Sequence, residues 1–460
     1  MSPHGGDSNS TWEGILIMGH ERNLKLTKRF NELFAGGHSN FRIAIEASEH
    51  RVFLTRAEGS HLWDVDGNEY IDYLNAMGPT ILGHRHPEYT NALKDHLGVM
   101  STAIGSGVFF TPQDVELAEK LVKHIPCAEK VKLCLSGSEA VQMAIRLGRA
   151  YTKRPYFIRF GDHYHGWLDN VIGGVVDEHP AGKPFGVENK ELDMLCHTEG
   201  KSRGALQESF LLPWNDIERL EEVLKTYGEE VAIIHFEGIV FNHFALMPRP
   251  GFLERMRELC TKYGIVMSMD EVISGFRVGL GGAQGYLGIT PDLSTFGKAM
   301  AGGIPFSAVV GKADILDQLK ERKVLGPGTF NGHPLGVRAA LTTLSVLERG
   351  GGAAYKEMAK VQKRLTDGLS DLAKKHGITM SIQGVTGGFF TLFGVEKTGH
   401  AYTNDDLKDL DIWKLFDFWK KMQEEGIIVM AGGRWYMSIA HTDKDIDRTL
   451  EAADRSMARM

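Results

Sequence analysis

Hydrophobic and polar positions follow two different periods through the middle of the chain, from about residue 103 to residue 329. Segments with apolar residues three and four positions apart, as in amphipathic helices, alternate with short segments that are almost continuously apolar. Strands that are apolar on both faces are typical of a parallel sheet covered by helices on each side. The pattern predicts an α/β fold, with helices at 114–124, 138–152, 216–227 and 251–263 and strands at 131–135, 155–160, 231–236 and 265–269.

Both ends of the chain show a different pattern. Near the N-terminus, Asp66-Gly67 lies between alternating apolar residues and predicts a hairpin turn. From about Pro334 the periods indicate a smaller α+β domain, because long helices precede short strands and a terminal helix. The helices are expected at 334–349 and 354–375, and the strands near 379–394 and 427–439. We therefore expect an N-terminal arm and small-domain segment (1–80), a large domain (81–333) and a C-terminal small domain (334–460).

Composition narrows the classes of function. The 460 residues are 42% hydrophobic and 24% charged, as in ordinary globular proteins, and a net charge of -7 gives no sign of a nucleic-acid-binding surface. No apolar run reaches the roughly 20 residues that span a bilayer, and the N-terminal segment lacks the basic and apolar parts of a signal peptide. Four cysteines without a CxxC pair indicate reduced thiols. We expect a cytoplasmic protein that binds neither nucleic acid nor membrane.

Polar residues directly after predicted strands are the candidates for chemistry, because ligands of open parallel sheets bind at the carboxyl ends of the strands. The turn Ser136-Gly137-Ser138-Glu139 opens a helix, whose free N–H groups suit a phosphate; an ordinary helix cap fits this turn equally well. Asp270 follows an apolar strand, where a carboxylate needs a partner. A protonated ring nitrogen, a helix cap or a salt bridge would each supply that partner.

Two further candidates gain weight from their order along the chain. Lys298 lies in STFGKAMAGG, where desolvation would lower the pKa of its amine and make it a Schiff-base nucleophile. Tyr164 follows the strand predicted at 155–160 and would be able to stack on a flat cofactor ring. Taken singly, the two residues fit a solvated lysine and a loop aromatic as well. The position of Lys298 after Asp270 favours the chemical interpretation.

Five segments occur in an order that resembles a known family. They are LSGSEAVQMAIRLGRAYT, DHYHGWLDN, MDEVISGFRVG, TFGKAMAGGIPFSAVVG and GTFNGHPLGVRAA. They resemble the phosphate turn, the stacking aromatic, the D-E-V-x-x-G-F-R motif, the cofactor lysine and the G-T-x-x-x-x-P motif of class III (subgroup II) aminotransferases of pyridoxal-phosphate fold type I. The segments WDVDGNEYIDYL, FAGGHSNFRIA and SIAHTDKDIDRTLEAA resemble the branch near glutamate-1-semialdehyde aminomutase and the β-amino-acid aminotransferases.

This resemblance implies a fold and a cofactor. The fold would be α/β of type I, with a large domain on a mixed, mostly parallel sheet flanked by helices and a small α+β domain. Pyridoxal 5'-phosphate would be carried on Lys298, and Asp270 would keep its ring nitrogen protonated. Thr329 would reach the phosphate of the neighbouring subunit, which makes the protein a homodimer with shared sites. The other implied cofactor contacts are Gly137, Ser138, Tyr164, Glu237, Asn242 and Val272; Gly238 stands where the family motif E-P-V-x-x-N has proline.

The substrate contacts implied by the resemblance are two arginines and an aromatic pocket. Arg42 and Arg434 resemble carboxylate-binding arginines of the branch, and a guanidinium suits a carboxylate because it donates two parallel hydrogen bonds. A surface arginine is the alternative for each. Trp167 and residues 241–244 are expected to line the pocket. No Cys/His cluster has metal-ligand spacing, so no metal is expected. The histidines expected to be structural are His84, His86, His165 and His441.

The implied activity is ping-pong amino transfer between an amino acid, with β- and ω-amino acids as candidates, and a keto acid. The same residues would also serve an aminomutase, a racemase or epimerase, or an ammonia-lyase. A non-catalytic protein that binds the cofactor would leave Lys298 idle. Because the cofactor supplies the common chemistry, pocket shape decides among these outcomes.

Overall fold

The N-terminal part is a helix fastened to a hairpin. The computed structural model describes residues 19–35, 51–104, 108–173, 199–396 and 399–460. Helix α1 (Glu21–Leu33) precedes strands β1 (Leu54–Glu58), β2 (His61–Asp64) and β3 (Glu69–Asp72). Strands β2 and β3 are antiparallel, which confirms the hairpin predicted at Asp66-Gly67. The buried side chain of Asn23 donates to Asp64 and Asp66, at 2.8 Å in each case, and so ties α1 to this hairpin.

A seven-stranded sheet forms the centre of the molecule. Its order is β4-β10-β9-β8-β7-β5-β6. Five neighbouring strands, from β9 to β6, run parallel, whereas β10 is antiparallel to both of its neighbours. The mixed, mostly parallel α/β sheet is therefore confirmed. Its strands are β4 (Lys130–Cys134), β5 (Tyr156–Phe160), β6 (Ser209–Leu212), β7 (Val231–Glu237), β8 (Val266–Glu271), β9 (Leu293–Phe296) and β10 (Ser307–Gly311).

Helices follow most of these strands, and several begin at residues whose side chains cap them. Ser136 accepts a hydrogen bond from the backbone of Glu139, and Thr111 forms a capping box with Asp114. Among the described residues, no helix is both long and apolar enough to cross a bilayer. The helices of this part are α2 (Pro87–Leu97), α3 (Pro112–His124), α4 (Gly137–Thr152), α5 (Arg203–Leu206), α6 (Ile217–Tyr227), α7 (Phe252–Tyr263), α8 (Gly282–Leu287) and α9 (Ala313–Lys320).

The C-terminal part contains one long interrupted helix and two small sheets. The helices predicted at 334–349 and 354–375 form a single element, α10, which is broken at 349–352 where three successive glycines have positive φ. Strand β13 pairs in parallel with β3, so the two ends of the chain share one sheet. The elements are α10 (Pro334–Lys375), β11 (Met380–Val385), β12 (Gly388–Phe393), α11 (Ile412–Glu424), β13 (Ile427–Ile428), β14 (Arg434–Tyr436) and α12 (Asp443–Met457).

Arg277 joins three distant segments beside the central sheet. Its fully buried guanidinium donates to the carbonyl oxygens of Gly78, Gly387 and Met437. Burial lowers the pKa of Arg277 to about 10. The carbonyl dipoles take the place of a counter-ion, and hydrogen bonding of this kind offsets the cost of burying a charge. The sheet, the N-terminal segment and the C-terminal part are thereby held in one arrangement around the site described next.

Candidate active site

Three ionisable side chains meet at the carboxyl ends of adjacent parallel strands. Glu237 ends β7 and lies opposite Asp270 on β8. Asp270 in turn lies opposite Thr295 on β9, and Lys298 comes two residues after β9 ends. This is the edge of the sheet where open α/β folds bind ligands. The predicted strand-end residues are therefore brought together.

Asp270 is buried and surrounded by hydrogen-bond donors. Its Oδ2 accepts from Nδ1 of His165 at 2.8 Å, and its Oδ1 accepts from the backbone N–H of Val272 at 3.0 Å. The Thr295 hydroxyl donates to Oδ1 at 3.3 Å. Burial alone would raise the pKa of Asp270, but the hydrogen bond from His165 and the nearby ring of His235 outweigh burial and hold that pKa well below its usual range. The carboxylate is therefore ionised throughout the neutral range.

Two histidines of this site were not predicted from the sequence to contact Asp270. His165, which we expected to be structural, contacts Asp270 directly, and burial lowers its pKa to about 4. His235 was not considered, although its Nε2 lies 3.6 Å from Asp270 Oδ2. The available signal was a polar residue in the otherwise apolar β7, two positions before Glu237 and so on the same face of the sheet. A buried histidine in a parallel strand needs a partner, and here that partner is the carboxylate.

Lys298 has an unusual backbone and an altered amine. Its φ is +41°, in the left-handed region, which costs a non-glycine residue about 1 kcal/mol or more. Burial lowers the pKa of the Lys298 amine, with Tyr436 opposing this effect and Arg434 adding to it. A larger fraction of neutral amine at a given pH makes the lysine a better nucleophile. These properties match the Schiff-base lysine predicted from the sequence.

The predicted phosphate turn lies against the loop that carries the predicted stacking aromatic. The backbone N–H of Trp167 donates to Ser138 Oγ at 3.4 Å. A Cβ atom added at Gly166 would lie 2.4 Å from the same oxygen, and one at Gly137 would lie 3.1 Å from a methyl group of Val272. Glycine is therefore required where the loop and α4 approach each other. The first N–H groups of α4 lack partners within the helix, and a helix N-terminus of this kind suits an anion.

Tyr164, Glu237 and Asn242 form one hydrogen-bonded group. Glu237 Oε1 accepts from the backbone N–H of Tyr164 at 2.9 Å and from Asn242 Nδ2 at 2.8 Å. Burial, with the nearby charge of Asp270, raises the pKa of Glu237 to about 7. The Tyr164 side chain is 39% exposed. Gly238 occupies the position of the family's proline without separating Glu237 from Asn242.

Arg434 extends from β14 towards this group and is almost fully buried. Its Nη2 donates to the carbonyl oxygen of Asn242 at 3.1 Å, and its Nη1 donates to the hydroxyl of Tyr436 at 3.2 Å. Its guanidinium carbon lies 5.2 Å from the centre of the Phe390 ring. Its Nε is buried and has no hydrogen-bond partner among the residues that the structure describes. A buried donor without an acceptor suits a carboxylate ligand.

The remaining predicted contacts lie elsewhere. Thr329 lines a separate hollow with Phe109, Phe110 and His333. This hollow does not include Glu237, Asp270 or Lys298, which are called the Lys298 group below. Trp167 has its side chain 68% exposed, so its indole is not enclosed in a pocket of this chain. Arg42 lies outside the residues that the structure describes.

Comparison with known proteins defines the class. The family described as Aminotransferase class-III matches residues 43–455, so the chain belongs to this family. The solved structures of similar fold include a transaminase with pyridoxal phosphate bound. The protein is therefore a pyridoxal-phosphate-dependent enzyme of the aminotransferase type, and the transaminases of this family use an amino donor and a keto acceptor.

The names of individual similar proteins describe more than one enzymatic activity. Glutamate-1-semialdehyde 2,1-aminomutase 2 of Brevibacillus brevis is 35% identical over 446 residues, which cover 96% of this chain and 99% of that protein. An omega-transaminase from Sphaerobacter thermophilus superposes with a TM-score of 0.83 at 26% identity, covering 95% of this chain and 97% of that one. A β-phenylalanine aminotransferase from Variovorax paradoxus has a TM-score of 0.80 at 23% identity, over 95% and 94% of the two chains, and shows the shared fold.

The residues gathered here fit pyridoxal 5'-phosphate. Asp270, ionised and acceptor-only, suits a protonated ring nitrogen. The N-terminus of α4 suits the phosphate, and glycine at 166 lets the loop after β5 approach Ser138 at this helix end. The Lys298 amine, with its lowered pKa, suits the aldehyde. Charge, shape and reactivity therefore agree with the cofactor of the family.

Proposed function

We propose that this protein transfers the amino group of a β- or ω-amino acid to a 2-oxo acid, and that Arg434 binds the carboxylate of the amino donor. The observation that carries this proposal is the buried, unpartnered Nε of Arg434, in a residue whose other nitrogens contact Asn242 and Tyr436 beside the Lys298 group. The Arg434 guanidinium lies close enough to the Lys298 amine to lower its pKa, so one amino acid can offer its carboxylate to the arginine and its amine to the site of the lysine. The names of two similar proteins, an omega-transaminase and a β-phenylalanine aminotransferase, agree with this substrate class.

We assign the cofactor contacts to the residues around Asp270. Gly137 and Ser138 would bind the phosphate through the N-terminus of α4, and Asp270 would hold the ring nitrogen protonated. Tyr164 and Val272 would contact the two faces of the ring, and Glu237 and Asn242 would lie near its phenolic oxygen. When bound, the cofactor supplies an electron sink for the carbanion formed at the substrate carbon.

Lys298 would act twice. Its amine would first anchor the cofactor. Once the substrate amine has displaced it, its Nζ would remove the proton from the substrate carbon and hold that proton for the next transfer. Both roles need an amine that is neutral near pH 7, and burial of Lys298 lowers its pKa in that direction. Trp167 and Arg42 complete the proposal as further substrate contacts.

The second candidate function is an aminomutase, because a protein with that name is 35% identical along nearly the whole chain. An aminomutase returns the amino group to the adjacent carbon of the same molecule, so no keto acceptor is consumed. The two functions are separated by supplying β-alanine, β-phenylalanine, ω-amino acids and glutamate 1-semialdehyde with and without pyruvate or 2-oxoglutarate. Acceptor-dependent formation of an oxo product supports amino transfer. Isomerisation without an acceptor, or release of ammonia, would contradict it.

The assignment of Arg434 leads to a prediction about substrate charge. Arg434→Leu should raise KM for β-phenylalanine by about 10- to 100-fold, the scale of a lost charge-assisted hydrogen bond. KM for 1-phenylethylamine, which lacks the carboxylate, should change by less than about 3-fold. Arg434→Lys, which keeps the charge but not the planar fork, should give an intermediate KM.

Arg448→Leu is the matched control for this experiment, because Arg448 pairs with Glu69 and belongs to a different part of the fold. Steady-state kinetics with both amines measure the ratio. Equal losses for the acid and the amine would show that Arg434 supports the fold of the site rather than the carboxylate, and the substrate assignment would be withdrawn.

We further propose that two copies of the chain form the enzyme, with Thr329 of one reaching the phosphate of the other. Support comes from the apolar surface beside Thr329, where Val108, Phe109 and Phe110 are 72%, 66% and 75% exposed. Phe330, next to Thr329, is half exposed. Large contiguous apolar surface is rare on monomers, and specific interfaces bury it.

Charge placed in this apolar surface should separate the subunits. Phe110→Asp is expected to shift the sedimentation coefficient to that of a monomer and to release the cofactor, because the site then lacks the partner's contact. Thr329→Val should weaken cofactor binding about 10-fold while leaving the dimer intact. Trp413→Asp, at a single exposed tryptophan on α11, is the control. A dimeric Phe110→Asp variant that keeps its cofactor would exclude this interface.

A further inference from the structure

His235 and Ser268 form a buried polar pair directly beneath Asp270. Both residues are fully buried, and they lie opposite each other on β7 and β8. His235 Nδ1 and Ser268 Oγ are 2.9 Å apart, and His235 Nε2 faces Asp270 Oδ2 at 3.6 Å. The rings of His235 and His165 are 4.6 Å apart, so the two histidines approach the same carboxylate oxygen. No contact of this pair with substrate or cofactor is needed for it to act on Asp270.

The direction of each hydrogen bond follows from the chemistry of the groups. An ionised carboxylate only accepts, so the His235 nitrogen that faces Asp270 must carry the proton. In the neutral ring Nδ1 is then the acceptor, and the Ser268 hydroxyl must be the donor. Asp270 therefore sets the tautomer of His235, and Ser268, by donating to Nδ1, holds the ring with Nε2–H towards Asp270. Partners of this kind fix the orientation and protonation of the groups they contact.

We propose that Ser268 and His235 are positioning residues that keep Asp270 ionised for the cofactor's ring nitrogen, with Ser268 holding the His235 ring by donating to its Nδ1. The inference rests on the proposed role of Asp270 and adds two residues to it. The separation of 3.6 Å is longer than a hydrogen bond, but contacts in catalytic sites shorten when the site is loaded. The pair would then supply a fourth donor to the carboxylate, after His165, Val272 and Thr295.

The pair matters because the proton between the cofactor's ring nitrogen and Asp270 can lie on either of the two groups. Donors to Asp270 stabilise its charged form and so favour the proton on the ring nitrogen. With a donor removed, the carboxylate becomes more basic and the proton moves towards it. The electron sink is then weaker. The other titratable or charged groups that face Asp270 are His163, Tyr164, His165, Glu237 and Lys298, and His165 is in turn influenced by Arg159.

The test measures the ring nitrogen itself. Holoenzyme reconstituted with cofactor labelled with 15N in the ring is examined by NMR between pH 6 and 9, alongside kinetics. Wild type should show a protonated nitrogen. His235→Leu should show a mixture of protonated and unprotonated nitrogen and a kcat about 10-fold lower, the scale of a lost outer partner. KM should change by less than about 2-fold, because His235 does not touch substrate.

Two milder variants test the mechanism within the pair. His235→Gln keeps an N–H donor near the position of Nε2 and should recover most of the ring protonation. Ser268→Ala keeps the imidazole but removes the donor that holds its ring in place, and its spectrum should lie between those of wild type and His235→Leu. The matched control is His441→Leu, which removes a buried histidine that likewise pairs with a serine, Ser438, and should leave the ring nitrogen unchanged.

Each outcome decides the proposal. A lower kcat in His235→Leu with an unchanged 15N signal would show a merely structural role and overturn it. A wild-type signal in Ser268→Ala beside an altered one in His235→Leu would overturn the role of Ser268. Asp270→Asn tests the role of Asp270 on which this inference rests. If that variant also keeps a protonated ring nitrogen, the proposed function of Asp270 fails. If only the pair variants behave as wild type, the failure belongs to this inference alone.

Discussion

Lys298→Ala should lower kcat for amino transfer by at least about 10⁴-fold, because one substitution removes both the covalent anchor and the proton carrier. The absorbance band of the lysine-bound cofactor should be absent from the purified variant. Lys298→Arg should behave in the same way, since a guanidinium keeps the charge but is neither a nucleophile nor a base near pH 7. The loss therefore depends on the amine rather than on positive charge. Single-turnover kinetics and the visible spectrum measure the two effects.

Lys298→Ala should not cost stability in the cofactor-free protein. Burial lowers the pKa of Lys298 below its unfolded value, so the charged form opposes folding at neutral pH, and stability rises with pH across the interval between the two values. Removing the lysine removes this penalty, and the Tm at pH 7 should stay equal or increase. Lys312→Ala, at a lysine paired with Asp292, is the control for loss of a cation. Retained amino transfer in either Lys298 variant would refute the central assignment.

Local sequence period was sufficient for the core of the fold. The strands predicted at 231–236 and 265–269 are β7 and β8, with ends shifted by one or two residues. Their continuous apolar character reflects burial on both faces, and the carboxyl-end rule then located Asp270 and Lys298 at one edge. The motif order added the cofactor. These features depend on short segments and on a general rule for parallel sheets.

Features that depend on long-range pairing could not be read from the chain. Strand β10 turns antiparallel between β9 and β4, and nothing in its local pattern distinguishes this direction. Arg277 matched a motif, yet its three carbonyl partners come from segments separated by 110 to 199 residues. Residues 75–77 have three successive positive φ values, held by contacts that include Asn75 to the carbonyl of Tyr436. Backbone strain of this kind persists when the surrounding structure supports it.

The arrangement around Arg434 was also beyond the sequence. An arginine near the C-terminus resembled a carboxylate-binding residue, but a surface arginine fitted as well. Packing against Phe390 and Tyr436 excludes the surface arginine, because it removes the side chain from solvent and leaves one nitrogen without an acceptor among the described residues. The histidines beside Asp270 illustrate the same point, since their role exists only when β7, β8 and the loop after β5 come together.

Asp270→Asn should lower kcat by about 10³-fold, the scale for loss of a preorganised charge at a reacting centre. The amide has the size of the carboxylate but cannot balance a protonated ring nitrogen, so the electron sink is weakened. Because hydrogen bonds hold the pKa of Asp270 well below its usual range, wild type keeps this charge at every working pH. The ratio of wild-type to variant kcat should therefore be constant between about pH 5.5 and 9.

The charge of the Asp270 carboxylate should also contribute to the stability of the fold. A carboxyl group whose pKa is lowered in the fold stabilises it above the unfolded pKa of about 3.9, and this contribution is lost as pH falls through the lowered value. Asp270→Asn should accordingly reduce Tm at pH 7, and by progressively less as the pH falls below about 3.9. Asp292→Asn is the matched control: Asp292 is equally buried and pairs with Arg257 and Lys312, but its contact with the backbone of Met267 lies near the other end of β8. Asp292→Asn should lose stability and keep kcat within about 3-fold of wild type. Equal losses of kcat in the two variants would mean that Asp270 acts through the fold and not through the cofactor ring.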